Sequence, residues 1–152
     1  MSGLSAAGRD LLQTARRAVL ATVAADGRPR LVPICYWTPA GEPLVVYSAL
    51  DDKPKAVADP LRLARVRDLV ARPQVTLLVD RWDEDWRRLA WLRLDGAARV
   101  LGPSRPGAAD AAEHAAAVAG LRGRYPQYRD HDLAARPLIR MAVDHVVEWS
   151  AA

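Results

Sequence analysis

The chain has 152 residues, of which 51% are hydrophobic and 26% charged, a balance that predicts one globular domain and excludes a wholly disordered chain. A formal net charge of +4 favours an anionic partner, which on this ground alone is a nucleic acid, a phosphorylated cofactor or a polycarboxylate. Cys35 is the single cysteine, and no apolar run reaches the ~18 residues of a membrane span. With no signal peptide recognised, we expect a cytoplasmic protein without a membrane partner.

The first fifty residues are predicted to form a helix and three strands. Leucines at helical spacing indicate a helix over 4–16. Apolar runs indicate strands over 18–25, 30–38 and 44–50. The pair Asp26–Gly27 between the first two strands predicts a type I′ hairpin turn. Pro33 cannot donate a hydrogen bond within a sheet, so its strand should be an edge strand or be bulged there.

A second helix is predicted to begin at Asp59–Pro60, because an acidic N-cap followed by proline is a typical helix start. Residues with helical spacing continue to about residue 71, and Pro73 ends the helix. The polar run at 83–87 is expected to connect the fourth predicted strand with the fifth.

The rest of the chain is predicted to hold three more strands and a third helix. The strands run over 74–82, 88–101 and 138–149. Gly96 predicts a β-bulge in the middle one, and an alanine-rich helix covers 106–123. Strict alternation places His145 on the apolar face of the last strand with Val143, so we expect a core histidine there. His114 is expected on an exposed helix face.

These elements predict a mainly β, α+β fold in a single domain over residues 1–152. Six strands joined mostly by short turns favour an antiparallel barrel with peripheral helices over a doubly wound parallel sheet. No GxSxG, P-loop or GxGxxG motif occurs, and the three histidines lack metal-ligand spacing. Neither covalent catalysis nor a metal site is therefore predicted.

The segment DDKPKAVADPLRLARVR carries five basic residues within seventeen positions. Lys53 and Lys55 come just after a predicted strand, where a loop can present two cations to one phosphate. Arg62 and Arg67 are expected on the wet face of the following helix. Arg65 is open between these two interpretations.

Five tryptophans stand in a chain without phenylalanine, and three of them cluster in DRWDEDWRRLAW. Trp82 and Trp86 flank an acidic turn, where their rings would be free to stack on a planar ligand. Packing in a barrel or at a dimer interface is an equally good explanation of Trp91 and Trp149.

The ordered segments VLATVAADGRPRLVPICYW, LVVYSALDDKPK, RLARVRDLVARPQVTLLVD and DGAARVL resemble the pyridoxamine 5′-phosphate oxidase-like split β-barrel superfamily over about residues 10–149. Within it, RWDEDWRRLAWLRLDGAARV is similar to the B group of oxidoreductases that depend on the deazaflavin coenzyme F420. The resemblance implies a six-stranded split barrel and a homodimer with two cofactor sites between subunits. It also implies hydride transfer between F420 and an electron-poor small molecule whose identity is open.

The resemblance further implies which side chains contact the cofactor, and none of them is a catalytic residue. In one subunit, the second strand runs beside the ring, the third strand's end approaches it, and cations hold the phosphate. These positions are Pro33, Tyr36, Ser48, Ala49, Lys53, Lys55 and Arg65. The other subunit brings the tryptophan-rich segment, with Trp82, Trp86, Arg88 and Trp91. The residues before the second helix are more numerous than is typical, and Asp68 replaces the usual asparagine, so the phosphate-binding arginine is open among Arg62, Arg65 and Arg67.

Two other functions are considered beside the F420 enzyme. FMN is the alternative cofactor on the same fold, and it needs a shorter anion site than F420. A protein that binds a flavin, a deazaflavin or haem without turnover would equally lack catalytic side chains. A nucleic-acid binder is disfavoured, because Asp51, Asp52, Asp59 and Asp68 interrupt the basic segment.

Overall fold

A computed structural model describes residues 3–50, 59–103 and 107–151, and within them three α-helices and six strands follow the predicted order. In chain order they are α1 (Ala6–Thr14), β1 (Ala18–Val23), β2 (Pro29–Ile34), β3 (Val45–Ala49), α2 (Ala64–Ala71), β4 (Gln74–Arg81), β5 (Ala90–Leu101), α3 (Ala111–Arg124) and β6 (Leu138–Ser150). None of the described helices is long and apolar enough to cross a membrane. The expected N-cap Asp59 accepts a hydrogen bond from the Leu61 N–H at 3.0 Å, but a short 3-10 turn precedes α2.

The six strands form one antiparallel sheet in the order β2-β1-β4-β5-β6-β3. Beyond β2, Trp37 pairs with Tyr47 of β3 through two backbone hydrogen bonds of 2.9 and 2.8 Å. Because β2 and β3 are the two edge strands, this bridge shows that the sheet curls into a half-barrel. The antiparallel barrel-like architecture is thereby confirmed, and Pro33 lies in an edge strand as predicted.

The turn between β1 and β2 differs from the predicted type I′ geometry. That turn needs two residues with positive φ, but among the described residues only glycines have one, here Gly27 at +85°. The Gly27 N–H donates to the Ala24 carbonyl at 2.8 Å, and the Ala24 N–H donates to the Arg28 carbonyl at 2.9 Å. These bonds define a type I turn followed by a glycine bulge. In this geometry only Gly27 needs a positive φ, and Asp26 keeps an ordinary backbone conformation.

Two hydrophobic clusters hold the helices against the sheet. Inside the half-barrel, Leu12 of α1 and Leu69 of α2 pack with Leu94 of β5. In the second cluster, Leu121 of α3 packs with Leu138 at the start of β6. The three helices therefore occupy the interior of the curled sheet and the side next to β3.

A β-bulge divides β6 into two halves. Asp95 pairs with His145 and Gly96 with Val143, so Asp144 is left without an opposite residue. A Cβ atom on Gly96 would lie 2.0 Å from the Ala142 carbonyl oxygen, which explains the glycine at this position. The irregularity predicted at Gly96 is present, but its extra residue lies in β6 and not in the strand of Gly96.

The bulge reverses the alternation of β6, and the prediction of a core histidine at His145 is therefore wrong. Val146, not His145, packs against the core, and the His145 side chain is 61% exposed. The expectation for His114 is also wrong, because this residue of α3 is fully buried. Its Nε2 atom lies 2.6 Å from the Arg136 carbonyl oxygen. A buried histidine is tolerated there because its ring nitrogen has a hydrogen-bond partner.

Glu148, beyond the bulge, positions α1. Its carboxylate accepts hydrogen bonds from the Ser5 N–H at 3.1 Å and the Ser5 hydroxyl at 2.9 Å. The Ser5 hydroxyl oxygen in turn accepts from the Gly8 N–H at 3.0 Å, as an N-cap does. A negative charge at a helix N-terminus is stabilising, and a Cβ on Gly8 would collide with the carboxylate at 1.7 Å.

Asp68 positions α2 in a similar way. Its buried carboxylate accepts hydrogen bonds from the Thr22 hydroxyl of β1 and from the Arg30 Nε of β2, both at 2.7 Å. Burial alone raises the pKa of Asp68, but the hydrogen bonds from Arg30 and Thr22 outweigh this effect and lower the pKa below its usual value.

Replacing the bulge glycine should destabilise the fold. Gly96→Ala places a methyl group against the Ala142 backbone, so the strands must separate, at a cost of about 1–3 kcal/mol in the free energy of unfolding. Urea unfolding followed by circular dichroism measures this. Gly102→Ala is the control, because an added Cβ there meets nothing within 4 Å and φ is not positive. Equal stability of the two variants would contradict the account of the bulge.

The Asp68 contacts should make stability depend on pH in the acid range. Because the pKa of Asp68 is lower in the folded than in the unfolded chain, the stabilisation is complete above the unfolded value of about 3.9 and disappears as the pH falls through the folded value. Asp68→Asn should therefore lose about 1–2 kcal/mol at pH 7 and differ less from the unaltered protein at pH 3. Urea unfolding at several pH values measures both, with the exposed Asp130→Asn as control. A constant difference across this pH range would count against the assignment.

Candidate functional site

Among the described residues, the outer face of the sheet carries a helix only beside β3, where α3 packs against Leu101 of β5 and Leu138 of β6. The rest of this outer face is formed by alternate residues of β2, β1, β4, β5 and β6. The pairing of the strands places these residues in rows across the sheet. One row is Pro33, Val19, Leu78, Arg93 and Val147, and the next is Leu31, Ala21, Thr76, Asp95 and His145. Leu31 and Leu78 are exposed, so this face is an apolar surface open to another molecule.

A polar cluster interrupts the apolar surface at the second row. Asp95 accepts a hydrogen bond from the Thr76 hydroxyl at 2.7 Å, and its other oxygen lies 3.0 Å from His145 Nδ1. The Arg93 guanidinium is 3.7 Å from the same carboxylate. Partial burial raises the pKa of Asp95, but the bonds from His145 and Thr76 outweigh it and lower the pKa. The alternation of residues in β6 did not predict this cluster. It placed His145 on the inner face, whereas the bulge at Asp144 places this residue on the outer face.

A shallow groove of about 320 Å³ adjoins this cluster. It is lined by Ala21, Val23, Pro29, Gln74, Thr76, Asp95 and Asp144, among others. Its walls come from four neighbouring strands, β2, β1, β4 and β5, and from the bulge in β6. The groove therefore combines an apolar base with one carboxylate that already has hydrogen-bond partners.

The tryptophan-rich segment lies at the end of this face. Trp82 and Trp86, in the connection between β4 and β5, are each 67% exposed. Arg88 in the same connection has its Nε 3.3 Å from the Asp83 carboxylate. Trp91 is half-buried in β5, where it stands opposite Trp149 of β6. The exposed pair is free to contact a second molecule, while Trp91 belongs to the sheet.

The predicted cofactor contacts of the third strand lie at the opposite edge of the sheet. Ser48 and Ala49 are both buried in β3, and Ala49 belongs to the cluster beneath α3. Lys53 and Lys55 lie outside the described residues, so their predicted contact with a phosphate stays a prediction.

The three arginines of the basic segment differ in burial. Arg62 and Arg67 are exposed, whereas Arg65 of α2 is half-buried. The exposure of Arg62 and Arg67 agrees with their interpretation as solvent-facing side chains.

Tyr36 is placed differently from the other predicted contacts. Its side chain is fully buried, its hydroxyl donates to the Leu12 carbonyl at 2.6 Å, and its N–H donates to the Tyr125 hydroxyl at 3.1 Å. Burial raises the pKa of Tyr36 to about 12. The side chain therefore joins α1 to the sheet, and it does not line the outer face that carries Pro33 on β2 and Trp91 on β5.

The fold agrees with that of known proteins. The family model described as pyridoxamine 5′-phosphate oxidase matches residues 4–150. A conserved hypothetical protein from Mycobacterium tuberculosis superposes with a TM-score of 0.71 at 18% identity, covering 98% of this chain and 86% of that one. An FAD-binding protein from Mesorhizobium loti gives a TM-score of 0.62 at 22% identity, with coverages of 97% and 96%. The haem storage protein HutZ from Vibrio cholerae gives 0.63 at 17%, with coverages of 93% and 90%.

No curated protein matches the chain. The identities to the solved structures are all below 25%, so these structures support the fold and not a particular ligand. The family match extends over nearly the whole chain, and it includes every described strand of the half-barrel. The chain therefore belongs to the pyridoxamine 5′-phosphate oxidase family.

Proposed function

We propose that the protein is an oxidoreductase that binds coenzyme F420 as a homodimer and transfers a hydride between the deazaflavin and an electron-poor small molecule. The observation that carries the proposal is membership of a family of flavin-type split barrels over residues 4–150. The similarity to an FAD-binding protein supports a flavin-like ligand. The resemblance of the tryptophan-rich segment to the B group supports F420 in preference to FMN.

The open outer face supports the dimer. The outer face exposes Leu31 of β2 and Leu78 of β4, on the two strands that flank β1, and removing such apolar side chains from water is favourable. A second copy packed on this face would bury them. In such a dimer the exposed Trp82 and Trp86 would reach the cofactor groove of the partner subunit.

The residues present fit a flavin-like group with a phosphate. Pro33 and the neighbouring apolar residues offer a surface for a planar ring, and Arg65 with Lys53 and Lys55 offers cations for the phosphate. When bound, the cofactor supplies the hydride, and the side chains of the protein bind, orient and exclude water. Because the bound cofactor would carry out the chemistry, the protein would not need a nucleophilic side chain.

Haem binding without turnover is the second candidate. HutZ, which shares the fold, is a haem storage protein. In this chain His145 presents an exposed ring whose Nδ1 is held by Asp95, an arrangement that leaves Nε2 directed for a ligand. Spectroscopic titration with haemin tests haem binding. Axial ligation by histidine shifts the Soret band, and His145→Ala would abolish the shift.

Cofactor choice is tested by titrating the protein with F420 and with FMN, following tryptophan fluorescence. F420 should bind with micromolar or lower Kd. Lys55→Ala should weaken binding about ten- to a hundredfold, because a charge-assisted contact contributes about 1.5–3 kcal/mol. Arg129→Ala, an exposed position outside the proposed site, is the control for loss of one positive charge and should bind normally. Unchanged affinity in the Lys55 variant would remove Lys55 from the site, and binding of FMN alone would reverse the choice of cofactor.

Turnover is tested by mixing the protein with reduced F420 and a panel of enones, quinones and biliverdin. We expect oxidation of the cofactor, seen as the return of its 420 nm absorbance, with at least one acceptor. Tight binding without oxidation by any acceptor would instead support the carrier function.

The proposed dimer interface is tested by Leu78→Asp. A charge at the centre of the outer face should convert a dimer of twice the 16.6 kDa chain mass into a monomer, measured by light scattering after gel filtration. Val70→Asp is the control, because Val70 is exposed on α2, away from this face. A monomeric unaltered protein, or dissociation by the control alone, would refute the interface.

A further inference from the structure

A second cavity, of about 370 Å³, lies between α1 and the connection from β2 to β3. We call it the hairpin cavity. It is lined by Leu4, Arg9, Leu12, Gln13, Trp37, Thr38, Pro39, Ala40, Gly41 and Leu44. Its volume falls within the range of small-molecule sites, about 300–1,000 Å³. It adjoins the beginning of β3, whereas the proposed cofactor contacts Ser48 and Ala49 lie at the end of that strand.

The base of the hairpin cavity is apolar and rigid. Leu4, Leu12 and Leu44 are buried core residues that also line the cavity. The Trp37 ring packs so closely on α3 that a Cβ on Gly120 would lie 2.1 Å from its Cε2 atom. Trp37 also contacts the Tyr47 ring at a centroid distance of 5.8 Å. A ligand would therefore meet a preformed apolar surface, which lowers the entropic cost of binding.

Thr38 supplies a polar group at this apolar base. The residue is only 3% exposed, and among the described residues its hydroxyl contacts one acceptor, the Pro39 carbonyl, at 3.4 Å. That distance is longer than a normal O–H···O hydrogen bond, about 2.5–3.0 Å. A buried hydroxyl without a good partner is costly, so a ligand oxygen that bonds to Thr38 would be favoured.

Arg9 supplies a cation at the rim. Its guanidinium lies 3.5 Å from the Glu42 carboxylate, and both side chains are substantially exposed. An ion pair of this kind contributes little to stability. The contact shows that the rim accommodates a carboxylate beside Arg9, and that a ligand carboxylate could take the place of Glu42.

We propose that the hairpin cavity binds a small carboxylic acid with an apolar body. The apolar body lies against Leu12, Leu44 and Trp37, and the carboxylate pairs with Arg9 at the rim. The second oxygen of the same carboxylate accepts a hydrogen bond from Thr38, which lines the cavity together with Arg9. The site is separate from the proposed cofactor groove and goes beyond the proposed function, so it would bind its ligand whether or not F420 is present.

Calorimetric titration of the full-length protein with decanoate and with 2-naphthoate tests the proposal. At least one acid should bind, and decanol and decylamine should bind at least about tenfold more weakly than decanoate, because they lack the charge that pairs with Arg9. Failure of both acids to bind, or equal binding of decylamine, would overturn the proposal.

Variants locate the ligand. Arg9→Gln should weaken binding about tenfold, and Thr38→Val about three- to tenfold, whereas Thr38→Ser keeps the hydroxyl and should restore affinity. Glu42→Gln should strengthen binding up to about fivefold, because it removes the competing carboxylate. Arg17→Gln, an exposed position outside the cavity, controls for net charge. Unchanged affinity in both the Arg9 and Thr38 variants, with each shown folded by circular dichroism, would refute the site.

Discussion

The close approach of β5 and β6 at Gly96 is the constraint on which most of this architecture depends. The Ala142 carbonyl oxygen occupies the space that a side chain on Gly96 would need, and Asp144 is displaced from the pairing. From that point β6 presents the opposite set of side chains to the interior. Glu148 consequently faces α1, and His145 faces outward. One extra residue in one strand thus determines both how a helix is held and what the outer face carries.

Two carboxylates, the exposed Glu148 and the buried Asp68, then connect the helices to the sheet across long stretches of sequence. Glu148 binds the N-terminus of α1, and Asp68 of α2 binds Thr22 and Arg30 on the two strands at one edge. Such contacts are directional, so they orient the helices more strictly than apolar packing alone. Because both helices are held inside the half-barrel, the outer face remains available to another molecule.

Proteins with this fold have different ligands, as an FAD-binding protein and a haem storage protein illustrate. Fold alone therefore does not decide function, which depends on the side chains around the grooves. In this chain the outer face combines apolar rows with the Asp95–His145 pair, and the hairpin cavity combines an apolar base with Thr38 and Arg9. The two surfaces differ in chemistry, which is why separate ligands are proposed for them.

The sequence by itself determined the order of helices and strands, the edge position of Pro33 and the bulge at Gly96. Each of these follows from local chemistry: side-chain periodicity, a missing N–H or a missing Cβ. The burial of Tyr36 and His114 and the outward position of His145 were decided only by the tertiary structure. Their surroundings come from residues far apart in the chain, and a one-residue shift in strand pairing exchanges the two faces of a strand. Gly96 indicates where the pairing is irregular, but local patterns do not show that the extra residue is Asp144 of β6, because that depends on how two backbones meet.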